Sequence, residues 1–238
     1  MVDKSNFLPE GTSIIVIGSN GGIGEAIYKT IESNYTFNNV IGLSRKSEIK
    51  INYYSEESIK KAADYFISKS LDIRMIINCA GFLYDKDFLP EKSIKDINID
   101  HMQKSFYINS VGPALIMKYF FPIIPKEGKF IFANLSAKVG SISDNKLGGW
   151  FSYRSSKAAL NQLVRCMSIE LNRRNKDSIC VAMHPGTVDT NLSKPFKKKG
   201  LNVRSPNIAA SEILDVLSSL DESHNGKFLD YKFKEIAF

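Results

Sequence analysis

Tyr153 and Lys157 are the two residues whose types and spacing best suit proton transfer. They are four residues apart at the start of a stretch, Ser155 to Leu171, that is predicted to be a helix, so both side chains share one helix face. A free tyrosine has a pKa near ~10, and a neighbouring ammonium group favours the phenolate and lowers that pKa. The pair could therefore exchange a proton with an alcohol or a ketone.

This spacing needs support from other motifs, because Tyr65 and Lys69 have the same spacing and indicate only a solvated helix face. One such motif is Asn109, in the middle of a helix predicted from Asp100 to Phe120. Asparagine is unfavourable inside a helix, so it is either exposed or its amide has buried partners. Apolar residues on both sides of Asn109 favour burial.

A glycine-rich turn follows the first predicted strand, Ser13 to Ile17. Gly18, Gly22 and Gly24 form the pattern G-x-x-x-G-x-G, and a helix is predicted from about Ile23 to Glu32. Glycines allow close backbone approach, and a helix N-terminus presents free N–H groups to a phosphate. The pattern predicts a pyrophosphate site, and a tight strand-to-helix turn without a ligand is the alternative.

The end of the second predicted strand, Asn39 to Leu43, bears on the choice of coenzyme. A carboxylate about 20 residues beyond the glycine turn binds the ribose 2′-OH of NAD, whereas an arginine suits the 2′-phosphate of NADP. Here Ser44 is followed by Arg45, which favours NADP(H) and leaves NAD(H) possible. The alternative is an ordinary solvated loop arginine.

Strands and helices alternate along the whole chain, without internal repeats or an interdomain linker. This order predicts one α/β domain over residues 1–238: a doubly wound Rossmann fold with a seven-stranded, mostly parallel sheet in the order 3-2-1-4-5-6-7 and helices on both faces. The five later strands are predicted at Ile49–Tyr53, Met75–Gly81, Lys129–Leu135, Ile179–Met183 and Gly226–Leu229, and a last helix from Ser205 to Leu220.

The composition limits the kinds of partner that the protein is expected to bind. The 238 residues are 43% hydrophobic and carry a net charge of +7, but the basic residues are scattered and no nucleic-acid motif accompanies them, so no nucleic-acid partner is expected. The absence of a long apolar run and of a signal-peptide pattern predicts no membrane association, and three cysteines without metal-ligand spacing suit a cytoplasmic protein. His184 lacks ligand partners in the sequence, so no metal is expected. The run Lys197–Lys199 is either solvated or attracts an acidic substrate.

Together these motifs resemble the short-chain dehydrogenase/reductase family, over nearly the whole chain. The loop Gly140–Gly149 is more loosely similar to that of the C-factor/sniffer-like carbonyl reductases. The matching motifs are the glycine turn, Asn78-Cys-Ala-Gly81, Asn109 in Asn-Ser-Val-Gly-Pro, Tyr153-x-x-x-Lys157 and Pro185-Gly-Thr-Val-Asp-Thr190.

The resemblance implies a role for each residue of the catalytic group. Tyr153 is expected to be the general acid/base, Lys157 to bind the nicotinamide ribose and lower the pKa of Tyr153, and Asn109 to hold a water in the proton relay. In the family a serine after the fifth strand polarises the carbonyl oxygen. Here that position is Ala137, and Ser136 comes one residue early. Ser136 is the first candidate, with Ser141 or Ser143 as substitutes, and one of these hydroxyls is expected near that of Tyr153.

The resemblance also implies a set of coenzyme-binding residues, with Asn52 near the adenine and the Pro185 loop at the nicotinamide end. The expected set is Gly18, Ser19, Asn20, Gly22, Ile23, Gly24, Ser44, Arg45, Asn52, Tyr53, Asn78, Ala80, Gly81, Tyr153, Lys157, Pro185, Gly186, Val188 and Thr190.

The function predicted from these features is an NADP(H)-dependent oxidoreductase that interconverts a carbonyl and an alcohol on a small-molecule substrate. The alternative is an NADP(H)-binding sensor or signalling protein with weak or no turnover, which Ala137 favours. By resemblance alone, a homodimer or homotetramer is expected.

Overall fold

The computed structural model describes residues 7–196 and 202–238. Six parallel strands form one sheet in the order β2-β1-β3-β4-β5-β6. A parallel sheet is covered on both faces and so is built from near-continuous apolar runs, as in β1, where all five residues are buried. The strands are β1 (Ser13–Ile17), β2 (Asn39–Leu43), β3 (Ile73–Asn78), β4 (Phe130–Leu135), β5 (Ser178–His184) and β6 (Phe228–Asp230).

Helices cover both faces of the sheet, as predicted. Successive strand residues face opposite ways: Ile15 of β1 packs in a cluster with Phe66 and Leu160, and Ile14 packs in the opposite cluster with Ile27 and Ile213. The helices are α1 (Gly22–Asn34), α2 (Glu56–Lys69), α3 (Ile99–Phe106), α4 (Gly112–Phe120), α5 (Phe151–Arg174) and α6 (Pro206–Ser218). In the described part of the chain, none of them is long and apolar enough to cross a bilayer.

The predicted α/β fold is confirmed with one strand fewer. The segment 49–53 forms only an isolated bridge between Ser44 and Lys50 rather than a strand. The hydroxyl of Ser58 accepts from the backbone N–H of Asn52 and donates to the carbonyl of Lys50, so a side chain on α2 replaces ladder bonds there. The remaining six strands keep the predicted order.

The helix predicted from Asp100 to Phe120 is interrupted in its middle. A π-helical turn, Tyr107–Val111, separates α3 from α4 and contains Asn109. Pro113 has no N–H, so it cannot donate to the carbonyl of Asn109 four residues earlier, and the regular α pattern is lost at that point. Such turns are rare and are frequently found at functional sites.

Candidate active site

A cleft of about 1080 Å³ lies at the carboxyl ends of β1, β2 and β3. Ligands of open α/β sheets bind in this position, so the location fits the predicted dinucleotide site. The cleft gathers most of the predicted coenzyme residues, namely Gly18, Asn20, Gly22, Ile23, Gly24, Ser44, Arg45, Asn52, Tyr53, Ala80, Gly81 and Thr190.

The glycine turn is shaped for a close-lying phosphate. Gly18 has φ +82°, a left-handed conformation that favours glycine, and a Cβ on Gly24 would lie 2.2 Å from the Gly18 carbonyl oxygen. The N-cap residue of α1, Gly21, provides no side-chain cap, so the first N–H groups of that helix are left to a ligand. This part of the structure fits a pyrophosphate.

The rim beyond β2 is basic. Arg45 and Lys46 both line the cleft, and the Ser44 hydroxyl is occupied within its own turn, where it accepts from the N–H groups of Lys46 and Ser47. The two cations offer charge complementary to a 2′-phosphate.

Two other predicted coenzyme residues, Asn78 and Ser19, support the cleft walls from behind. Asn78 is buried, accepts from the Tyr53 hydroxyl at 2.7 Å and donates to Asn134 at 3.1 Å. Ser19 packs so closely on Gly42 that a Cβ there would lie 2.8 Å from its hydroxyl oxygen. The side chains of Asn78 and Ser19 therefore support the cleft by contacting the neighbouring strands.

The loop 185–190, which contains the predicted residues Pro185, Gly186 and Val188, is anchored by Arg204. This buried guanidinium lies 3.3 Å above the ring of Tyr231, and its Nη2 donates to the Pro185 carbonyl at 2.9 Å. Val188 forms an isolated parallel bridge with Arg204. Sequence reasoning missed Arg204, because a single arginine before a helix cap carries no signal of burial.

Tyr153 and Lys157 lie in the first two turns of α5, and both are buried, at 7% and 3% exposure. The Lys157 Nζ atom is 5.9 Å from the centre of the Tyr153 ring and donates to the Leu135 carbonyl at 2.9 Å. A Cβ on Gly81 would lie 3.6 Å from both Lys157 Nζ and Asn109 Oδ1. Because Gly81 lines the cleft, Lys157 and Asn109 lie close to that end of it.

Burial changes the pKa values of both residues. It raises the pKa of the Tyr153 phenol, and it lowers the pKa of the Lys157 ammonium from 10.5 to about 8. The expected lowering of the tyrosine pKa is therefore not found, because desolvation of a buried phenolate is the largest effect. At neutral pH, Tyr153 holds its proton and can act as an acid.

The Asn109 side chain connects the segment after β3 to α5. Its Oδ1 accepts from the N–H of Phe82 at 2.8 Å, and its Nδ2 donates to the Phe82 carbonyl at 2.8 Å and to the Ser156 hydroxyl at 3.0 Å. The predicted burial of this amide is therefore found, with protein partners on both of its polar atoms.

None of the three candidate hydroxyls bonds to Tyr153. Ser136 continues the β4 ladder through its N–H, which bonds to Met183, and its hydroxyl donates to Asn161 at 2.7 Å. Asn161 is on α5, eight residues after Tyr153, so the Ser136 hydroxyl faces this helix but bonds further along it than Tyr153. Ser141 and Ser143 donate to the carbonyls of Ala237 and Phe238. Within residues 7–196 and 202–238 the Tyr153 hydroxyl has no hydrogen-bond partner, and a serine hydroxyl within its reach stays a prediction.

Aromatic side chains surround the approach to Tyr153. The Trp150 ring is 6.2 Å from that of Tyr153 and 5.2 Å from that of Phe196, and Tyr84 meets Phe196 at 5.3 Å. Tyr84 was missed from sequence. The run Lys197–Lys199 lies outside the described residues.

His184 sits at the end of β5 with its ring against Tyr231. Burial lowers its pKa to about 4, so the ring is neutral at physiological pH. Across the described ranges, no three histidine, cysteine, aspartate or glutamate side chains are grouped so that they could hold a metal ion.

Comparisons with known proteins agree with this geometry. The family model for short chain dehydrogenase matches residues 12–200. C-signal from Myxococcus xanthus is 31% identical over 146 residues, which is 61% of this chain and 84% of that protein. The NADPH-bound carbonyl reductase from chicken fatty liver is 26% identical with a TM-score of 0.84, and the match covers 97% of this chain and 100% of that one. The carbonyl reductase Sniffer of D. melanogaster, at 21% identity, TM-score 0.81 and coverage of 97% and 100%, supports the fold alone.

The family match spans most of the chain and includes the glycine turn, the cleft and the Tyr153 helix. The protein therefore belongs to the short-chain dehydrogenase family, and it is an oxidoreductase that acts between an alcohol and a carbonyl group.

Proposed function

We propose that this protein is an NADP(H)-dependent carbonyl reductase with Tyr153 as its general acid/base. The observation that carries the proposal is the position of Tyr153 and Lys157, buried together at the Gly81 end of a cleft whose other parts carry the glycine turn and Arg45. The NADPH in the similar chicken carbonyl reductase supports the choice of coenzyme.

NADPH, when bound, supplies a hydride to the carbonyl carbon. The protein's part is to supply the proton. Because burial raises its pKa, Tyr153 is protonated at neutral pH and gives that proton to the carbonyl oxygen. Below its pKa of about 8, Lys157 is an ammonium that stabilises the phenolate left on Tyr153. In the oxidation direction the same two residues act in reverse.

The test is Tyr153→Phe, with Tyr65→Phe as a matched control. Tyr65 also precedes a lysine by four residues, but it is exposed on α2. We expect Tyr153→Phe to lower kcat by about 10²–10⁴-fold, the usual contribution of general acid catalysis, with NADPH affinity nearly unchanged. Tyr65→Phe should match the wild type. Full turnover in Tyr153→Phe would remove Tyr153 from the mechanism.

A second function, coenzyme binding with little or no turnover, is favoured by the alanine at position 137 and by the absence of a hydroxyl bonded to Tyr153 in the described residues. A panel of aldehydes, ketones and quinones with NADPH separates the two functions. Steady NADPH consumption supports the reductase, and binding without consumption supports the sensor.

Location and assembly belong to the same proposal. Three cysteines without disulfides suit the cytoplasm. A homodimer or homotetramer formed through α3 and α5 is proposed from the family resemblance, and the exposed Ile99 and Ile169 on those helices agree with it. Light scattering after size-exclusion chromatography measures the assembly, and a monomer at micromolar concentration would contradict it.

A further inference from the structure

A buried carboxylate lies directly behind the reaction end of the cleft. The Glu91 side chain, from the loop between β3 and α3, is 1% exposed. Its Oε1 and Oε2 accept from the backbone N–H of Ser152 at 3.2 and 3.3 Å, and Oε1 also accepts from the Ser152 hydroxyl. The Glu91 carbonyl accepts from the N–H of Trp150 at 2.5 Å. Glu91 thus bonds to both Trp150 and Ser152, which lie just before Tyr153 in the chain.

These bonds replace a cap that α5 lacks. Its N-cap residue, Trp150, makes no side-chain capping bond. The first N–H groups of a helix need acceptors from elsewhere, and a negative charge is favourable at that end of the helix dipole. Glu91 supplies the acceptor and the charge from a residue about 60 positions earlier in the chain.

The carboxylate has a further contact on its other side. Nδ1 of the buried His101 lies 3.5 Å from Glu91 Oε1, and Nε2 of the same ring lies 3.3 Å from the Leu83 carbonyl. The ring stacks on Phe88 with centroids 5.2 Å apart. A buried carboxylate is costly unless it is paired and hydrogen-bonded, so Ser152 and His101 together account for its burial.

Trp150 is held in an uncommon conformation at this point. Its φ of +52° and ψ of +42° are left-handed, which a bulky residue adopts only where its surroundings enforce it. In this conformation the indole contacts Tyr153 and Phe196. The bond from the Trp150 N–H to the Glu91 carbonyl therefore helps to hold the indole beside Tyr153.

We propose that Glu91 is a positioning residue of the active site. By bonding to Trp150 and Ser152 it fixes the first turn of α5, and with it the direction of the Tyr153 hydroxyl and of the Trp150 indole. Neither Glu91 nor His101 needs to touch coenzyme or substrate in this role. The proposal rests on the proposed function of Tyr153.

Trp150 is the only tryptophan in the chain, so its fluorescence reports on this turn directly. The variants are Glu91→Gln, which keeps one side-chain acceptor oxygen for Ser152, and Glu91→Ala, which keeps none. Both keep the backbone carbonyl that accepts from the Trp150 N–H. The control is Asp96→Asn in the same segment, where an exposed carboxylate accepts from the N–H groups of Lys92 and Ser93.

We expect stronger acrylamide quenching and a red-shifted Trp150 emission in Glu91→Gln, more so in Glu91→Ala, and no change in Asp96→Asn. A misplacement of about 1 Å costs up to about 10²-fold in rate, so kcat should fall about 10- to 100-fold while NADPH affinity stays nearly constant. Unchanged fluorescence, or changed fluorescence with unchanged kcat in both Glu91 variants, would overturn the proposal.

Ser152→Ala keeps the proposal testable if Glu91→Ala does not fold. It removes the hydroxyl donor and leaves the backbone bond, so both readouts should change in the same direction by a smaller amount. Tyr153→Phe separates this proposal from the function it rests on. If Tyr153→Phe abolishes turnover but the Glu91 and Ser152 variants behave as wild type, only the positioning role fails. If Tyr153→Phe is active, the proposed function fails, and kcat of the Glu91 variants no longer supports positioning.

Discussion

The two ends of the cleft are constructed differently. The coenzyme end is made from one contiguous strand, turn and helix, residues 13–34, in which backbone N–H groups face the ligand site. The reaction end is assembled from side chains far apart in sequence: Glu91 meets Ser152, Asn109 meets Phe82 and Ser156, and Tyr84 meets Phe196.

This difference separates two kinds of dependence on sequence. A backbone site requires few side chains but tolerates almost no added bulk, so its sensitive positions are glycines. A site made of distant side chains depends on partners that can be exchanged one at a time. Ala137 fits that view, because a missing hydroxyl leaves Tyr153 and Lys157 in place.

The largest effect is expected at the coenzyme end, from Gly24→Ala. The added Cβ would lie 2.2 Å from the Gly18 carbonyl oxygen, so the turn must shift. We expect the free energy of unfolding to fall by about 1–3 kcal/mol, and NADPH affinity to fall at least about 100-fold, or ~2.7 kcal/mol. Fluorescence titration with NADPH and urea unfolding measure these quantities.

Gly148→Ala is the control for this prediction. Gly148 also comes from a loop, but no atom lies within 4 Å of its added Cβ, and only its φ of +62° is unfavourable. It should lose about 1–2 kcal/mol of stability and keep its NADPH affinity. Equal coenzyme affinity in the two variants would contradict the backbone character of the site.

The next effect is expected at the reaction end, from Ala137→Ser. This restores a hydroxyl at the half-buried position where the family carries one, and a single oxyanion donor contributes about 10²–10³ in kcat. We expect kcat for carbonyl reduction to rise at least about 10-fold, less than the full range because the new hydroxyl is not held in place by partners selected for it. Ser136→Ala is the comparison, and should lower stability by about 1–2 kcal/mol through its lost bond to Asn161. An unchanged kcat in Ala137→Ser would mean that the native site does not need a hydroxyl at position 137.

The pH dependence of reduction is smaller and comes from Lys157. Its pKa is lowered to about 8, so the ammonium that stabilises the phenolate is lost as pH rises through that value. We expect kcat to be level from pH 6 to 7.5 and to fall about 10-fold per pH unit well above 8. NADPH affinity measured over the same range separates this from coenzyme loss. A level profile to pH 9.5 would mean that the charge of Lys157 is not used.

The same contrast explains what could be predicted from the sequence. The strand order and the Gly18–Gly24 turn follow from local patterns and could be predicted. Among the strands only the segment 49–53 was wrong, because Ser58 takes its backbone bonds. Glu91 and Arg204 were not foreseen. A lone acid or base before a helix has no periodicity that marks it as buried, and its partners become visible only when distant segments meet. Ser136 likewise depends on a distant partner, since its hydroxyl bonds to Asn161 on α5.

The smallest effect is expected from Arg45→Ala, at the exposed rim of the coenzyme end. Arg45 is a solvent-exposed cation, so its attraction to a 2′-phosphate is screened by salt and should contribute about 1 kcal/mol, or roughly 5-fold in NADPH affinity. NADH affinity should not change, because NADH has no 2′-phosphate, and Arg173→Ala at the far end of α5 controls for net charge. Isothermal titration at 50 and 300 mM salt should give a larger effect at low salt. An equal loss for NADPH and NADH would show that Arg45 supports the loop rather than the phosphate, and coenzyme choice would then depend on Lys46, the other cation on that rim.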